Sequence, residues 1–125
     1  ELIPFRNGDK WGFSDPQKTI VVHCEYDDAE PFTEGLAKVN KEGKWGLINS
    51  SGYLVLPCHY DRIQGFKEGL CAIIKDRKFG FIDKNGILVI PCQYDGSIHF
   101  QEGLAATVNN EKIGFINKKG EWHIK

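Results

Sequence analysis

Thiols, imidazoles, carboxylates and aromatic rings are the side chains here that could do chemistry. His23-Cys24 and Cys58-His59 offer ligands of the kind zinc takes. Their spacing is not that of a Cys-x-x-Cys or Cys/His finger, and neighbours in a strand point to opposite faces. Buried thiols beside exposed imidazoles are therefore expected, with no metal and no cofactor. Asp27, Asp61 and Asp95, with Glu34, Glu68 and Glu102, could supply oxygens to calcium. Calcium needs about six to eight oxygens converging on one point. These acids come singly at separated places, which favours turn capping.

The aromatic residues raise a third chemistry, the stacking of sugar rings. Trp11 and Trp45 stand in one register, but Phe79 and Ile113 occupy the same register further on. Isoleucine stacks a sugar poorly, so packing is the preferred role and glycan or cell-wall binding the alternative. No Gly-x-Ser-x-Gly, phosphate loop or His-Glu-x-x-His occurs. Active sites are local exceptions to a pattern, whereas here the conspicuous residues are the pattern, and a non-catalytic chain is expected.

The elements that must position these residues recur every 34 residues. Lys10-Trp11-Gly12, Lys44-Trp45-Gly46, Lys78-Phe79-Gly80 and Lys112-Ile113-Gly114 keep that step without insertion. So do Tyr26-Asp27, Tyr60-Asp61 and Tyr94-Asp95, the Phe32, Phe66, Phe100 column, and the three Glu-Gly-Leu segments. Cys71 falls where Ala37 and Ala105 fall, which marks a small core position rather than a nucleophile. Cys24, Cys58 and Cys92 share one column, an arrangement that pairs poorly because a disulfide needs Cα atoms about 4.4 to 6.8 Å apart. Unpaired thiols lean towards a reducing compartment such as the cytoplasm, with export left open.

A 34-residue period is also that of a two-helix repeat, but 14 glycines and frequent β-branched residues exclude helices of that length. In the second copy, residues 36–40, 44–49 and 53–56 read as three strands. Two-residue turns are expected at Asn7-Gly8, Glu42-Gly43, Asp76-Arg77 and Asn109-Asn110, of which Asp76-Arg77 is the least suited. The second turn of each copy is Asn49 to Gly52, Asp83 to Gly86 and Asn117 to Gly120, whose first side chain can bond the turn backbone. The first copy has Asp15-Pro16-Gln17-Lys18, with lysine where glycine is wanted. Pro57 and Pro91 should end the third strand by removing a donor, and a connector, a turn or single helical turn, then leads into the next copy.

The expected fold is all-β. It is a tandem array of four three-stranded antiparallel meanders in one domain, residues 1–125, with units at about 2–24, 36–58, 70–92 and 104–125. An elongated solenoid-like stack is preferred to a closed propeller-like or pseudo-symmetric arrangement, since propeller blades usually have four strands and about 40 to 45 residues. Within the second strand of each copy, the column Gly12, Gly46, Gly80, Gly114 does not vary, so another strand or a ring should pass close over it. Pro4 at one end, and His123 with Lys125 at the other, read as edge caps.

With 125 residues the chain can bury roughly two thirds of its unfolded surface. Lysines and arginines number 16 against 17 acids, evenly spread, so no phosphate backbone is an expected partner. No apolar run nears the ~20 residues that span a bilayer. The chain starts at Glu1 and has no methionine, so a processed chain, a cleaved tag or a piece of something longer is expected.

The Lys-Trp-Gly-Leu/Phe-Ile core, the Asp/Asn-x-x-Gly turn, the Pro-x-x-Tyr-Asp segment and the Phe-x-Glu-Gly-Leu-Ala segment together resemble the bacterial WG-containing, or KWG, repeat. The likeness runs from about Leu2 to Ile124, with departures at Phe79, Ile113 and Lys18. It implies an all-β array, often appended to other domains, and brings no catalytic residues. A non-catalytic scaffold for a protein or peptide partner, an accessory module of a bacterial protein, is the expectation.

Overall fold

Alternating apolar residues and tight turns give the chain four antiparallel sheets. The computed structural model describes residues 1–123. Strands β1 (Ile3–Asn7), β2 (Lys10–Ser14) and β3 (Ile20–Tyr26) form the first sheet in that order. The second runs β4 (Asp28–Ala29), β5 (Leu36–Lys41), β6 (Lys44–Asn49), β7 (Leu54–Tyr60). The third runs β8 (Arg62–Lys67), β9 (Leu70–Lys75), β10 (Lys78–Ile82), β11 (Leu88–Tyr94), and the fourth β12 (Gly96–Ser97), β13 (Leu104–Asn109), β14 (Lys112–Asn117), β15 (Trp122–His123). The fold is an all-β tandem array. No helix occurs among the described residues, hence none that could cross a membrane.

The meanders gain a strand from the connector. In place of a turn or helical turn, Asp27 N–H donates to Asn40 O at 2.8 Å and Glu30 N–H to Lys38 O at 2.9 Å, so β4 lies along β5. Extended pairing satisfies backbone groups that a lone helical turn would leave half bonded. The chain then folds back at Glu34-Gly35, both in the left-handed region (φ 52° and 81°), and Thr33 bridges Leu36 across that two-residue turn. Glu68-Gly69 and Glu102-Gly103 repeat these angles.

The hairpins between first and second strands close two-residue loops whose register is set by pairs such as Lys41↔Lys44 and Lys75↔Lys78. Asp76 and Arg77 both adopt positive φ (53° and 66°) without a glycine to ease it. Pairing of Asn7 with Lys10 and Asn109 with Lys112 moves the outer loops to Gly8-Asp9 and Asn110-Glu111, one residue beyond the expected positions. Side-chain preference for a turn yields there to the ladder.

The four Asx turns are alike. Asn49 Oδ1 accepts from Ser51 N–H and Tyr53 N–H, both at 3.0 Å, and Asp15, Asp83 and Asn117 do the same in their copies. Lys18 is forced to φ 71° where Gly52, Gly86 and Gly120 sit at 81° to 89°. That loop therefore carries a backbone strain that the other three avoid.

The chain forms two compact units, residues 1–60 and residue 61 onward, each containing two sheets. In the first, Leu2, Phe13, Val22 and Tyr26 of one copy pack on Phe32, Ala37, Val39 and Ile48 of the next. Phe13 meets Phe32 edge-on, with centroids 5.6 Å apart. In the second unit, Leu70, Phe81, Ile90 and Tyr94 pack on Phe100, Ala105 and Ile116, with Phe81 against Phe100 at 4.8 Å. Edge-to-face rings are the favoured aromatic contact. Pro4 lies on β1, an edge strand. The expected far cap at His123 and Lys125, and the end of the fourth unit, lie outside the residues whose side chains are described.

Candidate functional site

The repeat positions converge where the second strand meets the third. Between Trp45↔Tyr60 and Leu47↔Leu56, two steps along β6 match four along β7. The excess forms a bulge at Pro57-Cys58 directly over Gly46. A Cβ there would stand 2.9 Å from Cys58 N and from Pro57 C, and nearer still to Leu56 O. Gly12 lies beneath Val22–Cys24 in the same way, and Gly80 beneath Ile90–Cys92, with Cys92 N at 2.7 Å. A passing strand, not a ring, imposes the glycine. The expectation that proline ends the ladder is corrected: β7 continues through Pro57 to Tyr60, because a bulged residue is unpaired and needs no donor. Gly114 occupies the equivalent place and is buried.

The slip carries each tyrosine back opposite the aromatic column, pairing Trp11 with Tyr26, Trp45 with Tyr60 and Phe79 with Tyr94. The tyrosines belong to the third strand, not the connector. Tyr26 and Tyr94 are buried, and Tyr94 O–H donates to Gly120 O at 3.3 Å. Burial pushes the Tyr26 phenol up. Trp11, Trp45 and Phe79 are half-buried at the rim rather than fully in the core, and Ile113 is 72 % exposed. The Arg6 guanidinium lies 5.8 Å from the Trp11 ring.

The aspartates act as clips between copies. Asp27 Oδ2 accepts from Glu42 N–H at 2.7 Å, Asp61 from Asp76 N–H at 2.9 Å and Asp95 from Asn110 N–H at 2.9 Å. Each acceptor serves the first hairpin turn of the following copy, not its own turn. Asp27 also takes an ion pair from Lys10, and Asp95 one from Lys78. The Lys10 hydrogen bond, then the Glu42 N–H, holds the Asp27 carboxyl below the usual range, and Lys78 and Asn110 do so for Asp95. Glu68 reaches one full repeat ahead to accept from Glu102 N–H at 2.5 Å and Gly103 N–H at 2.9 Å, with Lys118 Nζ at 3.4 Å. Its carboxyl is lowered chiefly by the Gly103 N–H.

The lysine of each Lys-aromatic-Gly core had no role in the sequence reading. Its presence in all four copies, 17 residues before an aspartate in the pairs Lys10–Asp27 and Lys78–Asp95, was the available signal.

The thiols behave as packing groups. Cys24, Cys58 and Cys92 are half-buried and Cys71 fully buried, all as thiols. Burial raises Cys58 and Cys92, away from the reactive thiolate form. Cys71 Sγ donates to Gln64 O at 3.0 Å. His23 and His59 are exposed, and among the described residues no three His, Cys, Asp or Glu side chains come together as metal ligands.

One polar hollow is lined by rings and amides. It encloses about 490 Å³ between Gln93, Tyr94, Asn109, Asn110, Lys112 and Trp122, with the Tyr94 and Trp122 rings stacked 6.2 Å apart and 9° from parallel.

A family model described as WG containing repeat matches residues 11–45, 45–79 and 79–112. The chain belongs to the WG containing repeat family. The first two windows run from one aromatic rim position to the next and the third from Phe79 to Lys112, so each spans one bulged glycine and one carboxylate clip. No curated protein and no solved structure matches the chain.

Proposed function

We propose that this WG repeat chain is a non-catalytic scaffold that holds a protein or peptide partner, as an accessory module of a bacterial protein. The supporting observation is an apolar stripe at the start of the third strand in three copies. Ile20 and Val21 are 55 % and 43 % exposed, Tyr53 and Leu54 71 % and 48 %, and Ile87 and Leu88 59 % and 46 %. These residues lie on or just before β3, β7 and β11, each the last strand of its sheet. An edge strand offers unpaired backbone groups and an apolar flank, the two things an added strand needs. Selection from a displayed peptide library should enrich extended apolar sequences, and Leu54→Glu with Leu88→Glu should abolish their binding. Enrichment no greater than on an unrelated β-scaffold, or binding untouched by the double variant, overturns the reading.

The hollow beside Trp122 supports a second reading, glycan binding. Paired rings with amides are the chemistry that grips a sugar face and its hydroxyls. Against it stands Ile113, which breaks the aromatic column. A glycan array with Trp122→Ala as control separates the readings: Trp122-dependent retention of a sugar favours glycan binding, and none leaves the peptide reading alone.

A further inference from the structure

The third strands of the first three copies carry the same apolar stripe but not the same edge. Pro57 and Pro91 stand at one repeat position, midway along β7 and β11, and the first copy has His23 there, on β3. Proline fits at this place because the bulge takes no ladder bond from it. It also blunts the strand, since a neighbour laid along β7 or β11 would find no N–H at that point. His23 keeps its N–H. No residue of β2 stands opposite it, the ladder passing from Phe13↔Val22 to Trp11↔Tyr26, and the residue is exposed.

Beside β3 the second copy builds a wall. A Cβ on Gly52 would stand 3.0 Å from Val22 Cγ2 and 3.1 Å from Val21 Cγ1, so the turn from Asn49 to Gly52 lies against the start of β3. The next two residues, Tyr53 and Leu54, are exposed, as are Ile20 and Val21 of β3 itself. All of them belong to the first compact unit. Ile20 is 55 % exposed, against 48 % for Leu54 and 46 % for Leu88, which have copies of the repeat both before and after them in the chain. Openness here is a property of the repeat position.

We infer that the partner is received at β3, and not at β7 or β11, as an added strand: an extended, proline-free segment of another polypeptide that pairs with the β3 backbone at His23 and lays alternate apolar side chains against Tyr53 and Leu54. What sets β3 apart from its sisters is one backbone donor, a group that another backbone can use and an apolar lipid surface cannot. Main-chain bonds give such a complex its affinity, and the apolar residues beside the edge give its selectivity. The inference rests on the scaffold reading above and narrows it to one strand.

The test selects peptides from a displayed library on the unaltered chain, then measures a retained peptide by fluorescence anisotropy against single variants. His23→Pro copies the sister strands, removes the donor and leaves the stripe; affinity should fall roughly tenfold or more, through a backbone bond lost and its acceptor stranded. His23→Ala keeps the donor and should bind as before, which sets the backbone N–H apart from the imidazole. Leu54→Glu should abolish binding through the wall, whereas Leu88→Glu alone should change nothing. N-methylation of the peptide along one of its two sets of alternate residues should abolish binding, and thermal unfolding checks that each variant is folded. Binding kept by His23→Pro, or lost with Leu88→Glu alone, overturns the inference and leaves the scaffold reading standing. No retention by the unaltered chain overturns both. Self-association in sedimentation that His23→Pro removes would make the occupant a second copy of this chain, and the inferred foreign segment would fall.

Discussion

Strand β6 sets Trp45 and Gly46 side by side in different surroundings. Over Gly46 runs the backbone of Leu56–Cys58, held by the ladder to either side of the bulge, and a single added carbon meets it well inside contact distance. Trp45 is half-buried at the rim, with Tyr60 opposite it in the ladder. Backbone in a ladder cannot retreat without losing hydrogen bonds, whereas side chains turn to other rotamers. Hence the glycine column never varies between copies, and the aromatic column runs through Trp, Phe and Ile.

The largest effect expected from that contrast is at the glycine. Gly46→Val should cost roughly 3 kcal/mol or more, by driving a branched side chain into the bulge. Trp45→Phe should cost less than about 1 kcal/mol, as replacement by a smaller aromatic group at a partly exposed site. Chemical denaturation measures both, and equal losses would break the comparison.

A second glycine requirement comes from backbone angle, and Lys18 sharpens the distinction. Lys18→Gly should raise stability by about 0.5 to 1 kcal/mol, because relief of the left-handed strain exceeds the added freedom of the unfolded chain. No gain in the same denaturation assay would mean the turn carries no strain. Ile113→Trp should then be nearly neutral, within about 0.5 kcal/mol, at a position 72 % exposed. A large change of either sign in its unfolding midpoint would show that the rim column is constrained after all.

The smallest effect concerns the clips. Folded Asp27 and Asp95 bind protons less readily than their unfolded counterparts, being held low by Lys10 and Lys78 first and turn N–H groups second. Their contribution is full above the ordinary aspartate range and is lost as pH falls through it towards the lowered folded values. Asp27→Asn with Asp95→Asn should flatten the fall of melting temperature on acidification. An unchanged acid limb would remove the carboxylates from the account. High salt should weaken only the lysine part, since exposed pairs are screened.

Much of the local structure was legible. Residues 44–49 read as a strand in the sequence and form β6, because Trp45-Gly46-Leu47-Ile48 lies between two turns with strong chemistry. The left-handed residue at Lys18 was legible from its sisters. The bulge was not: Pro57 reads as a stop to a ladder, and only the pairing of Trp45 with Tyr60 shows that the strand resumes. Nor was the connector strand, since Asp28-Ala29 is too short to show alternation and exists through pairing with Asn40 and Val39. The clips joining Asp27 to Glu42 and Glu68 to Gly103 span 15 and 35 residues, beyond what local preference can signal.

By itself, the sequence determined that the chain is all-β, that it repeats every 34 residues and that each copy turns where its Asn, Asp and Gly residues allow, because those are properties of neighbouring residues and of the period. Tertiary structure alone decided what each repeated residue is for. Gly46 is required by a strand from its own sheet, Asp27 by the turn of the next copy, and Ile113 can stand in the aromatic column because its position is exposed. Close approach of backbone, the partner of a carboxylate and exposure to solvent all depend on what lies beside a residue in space.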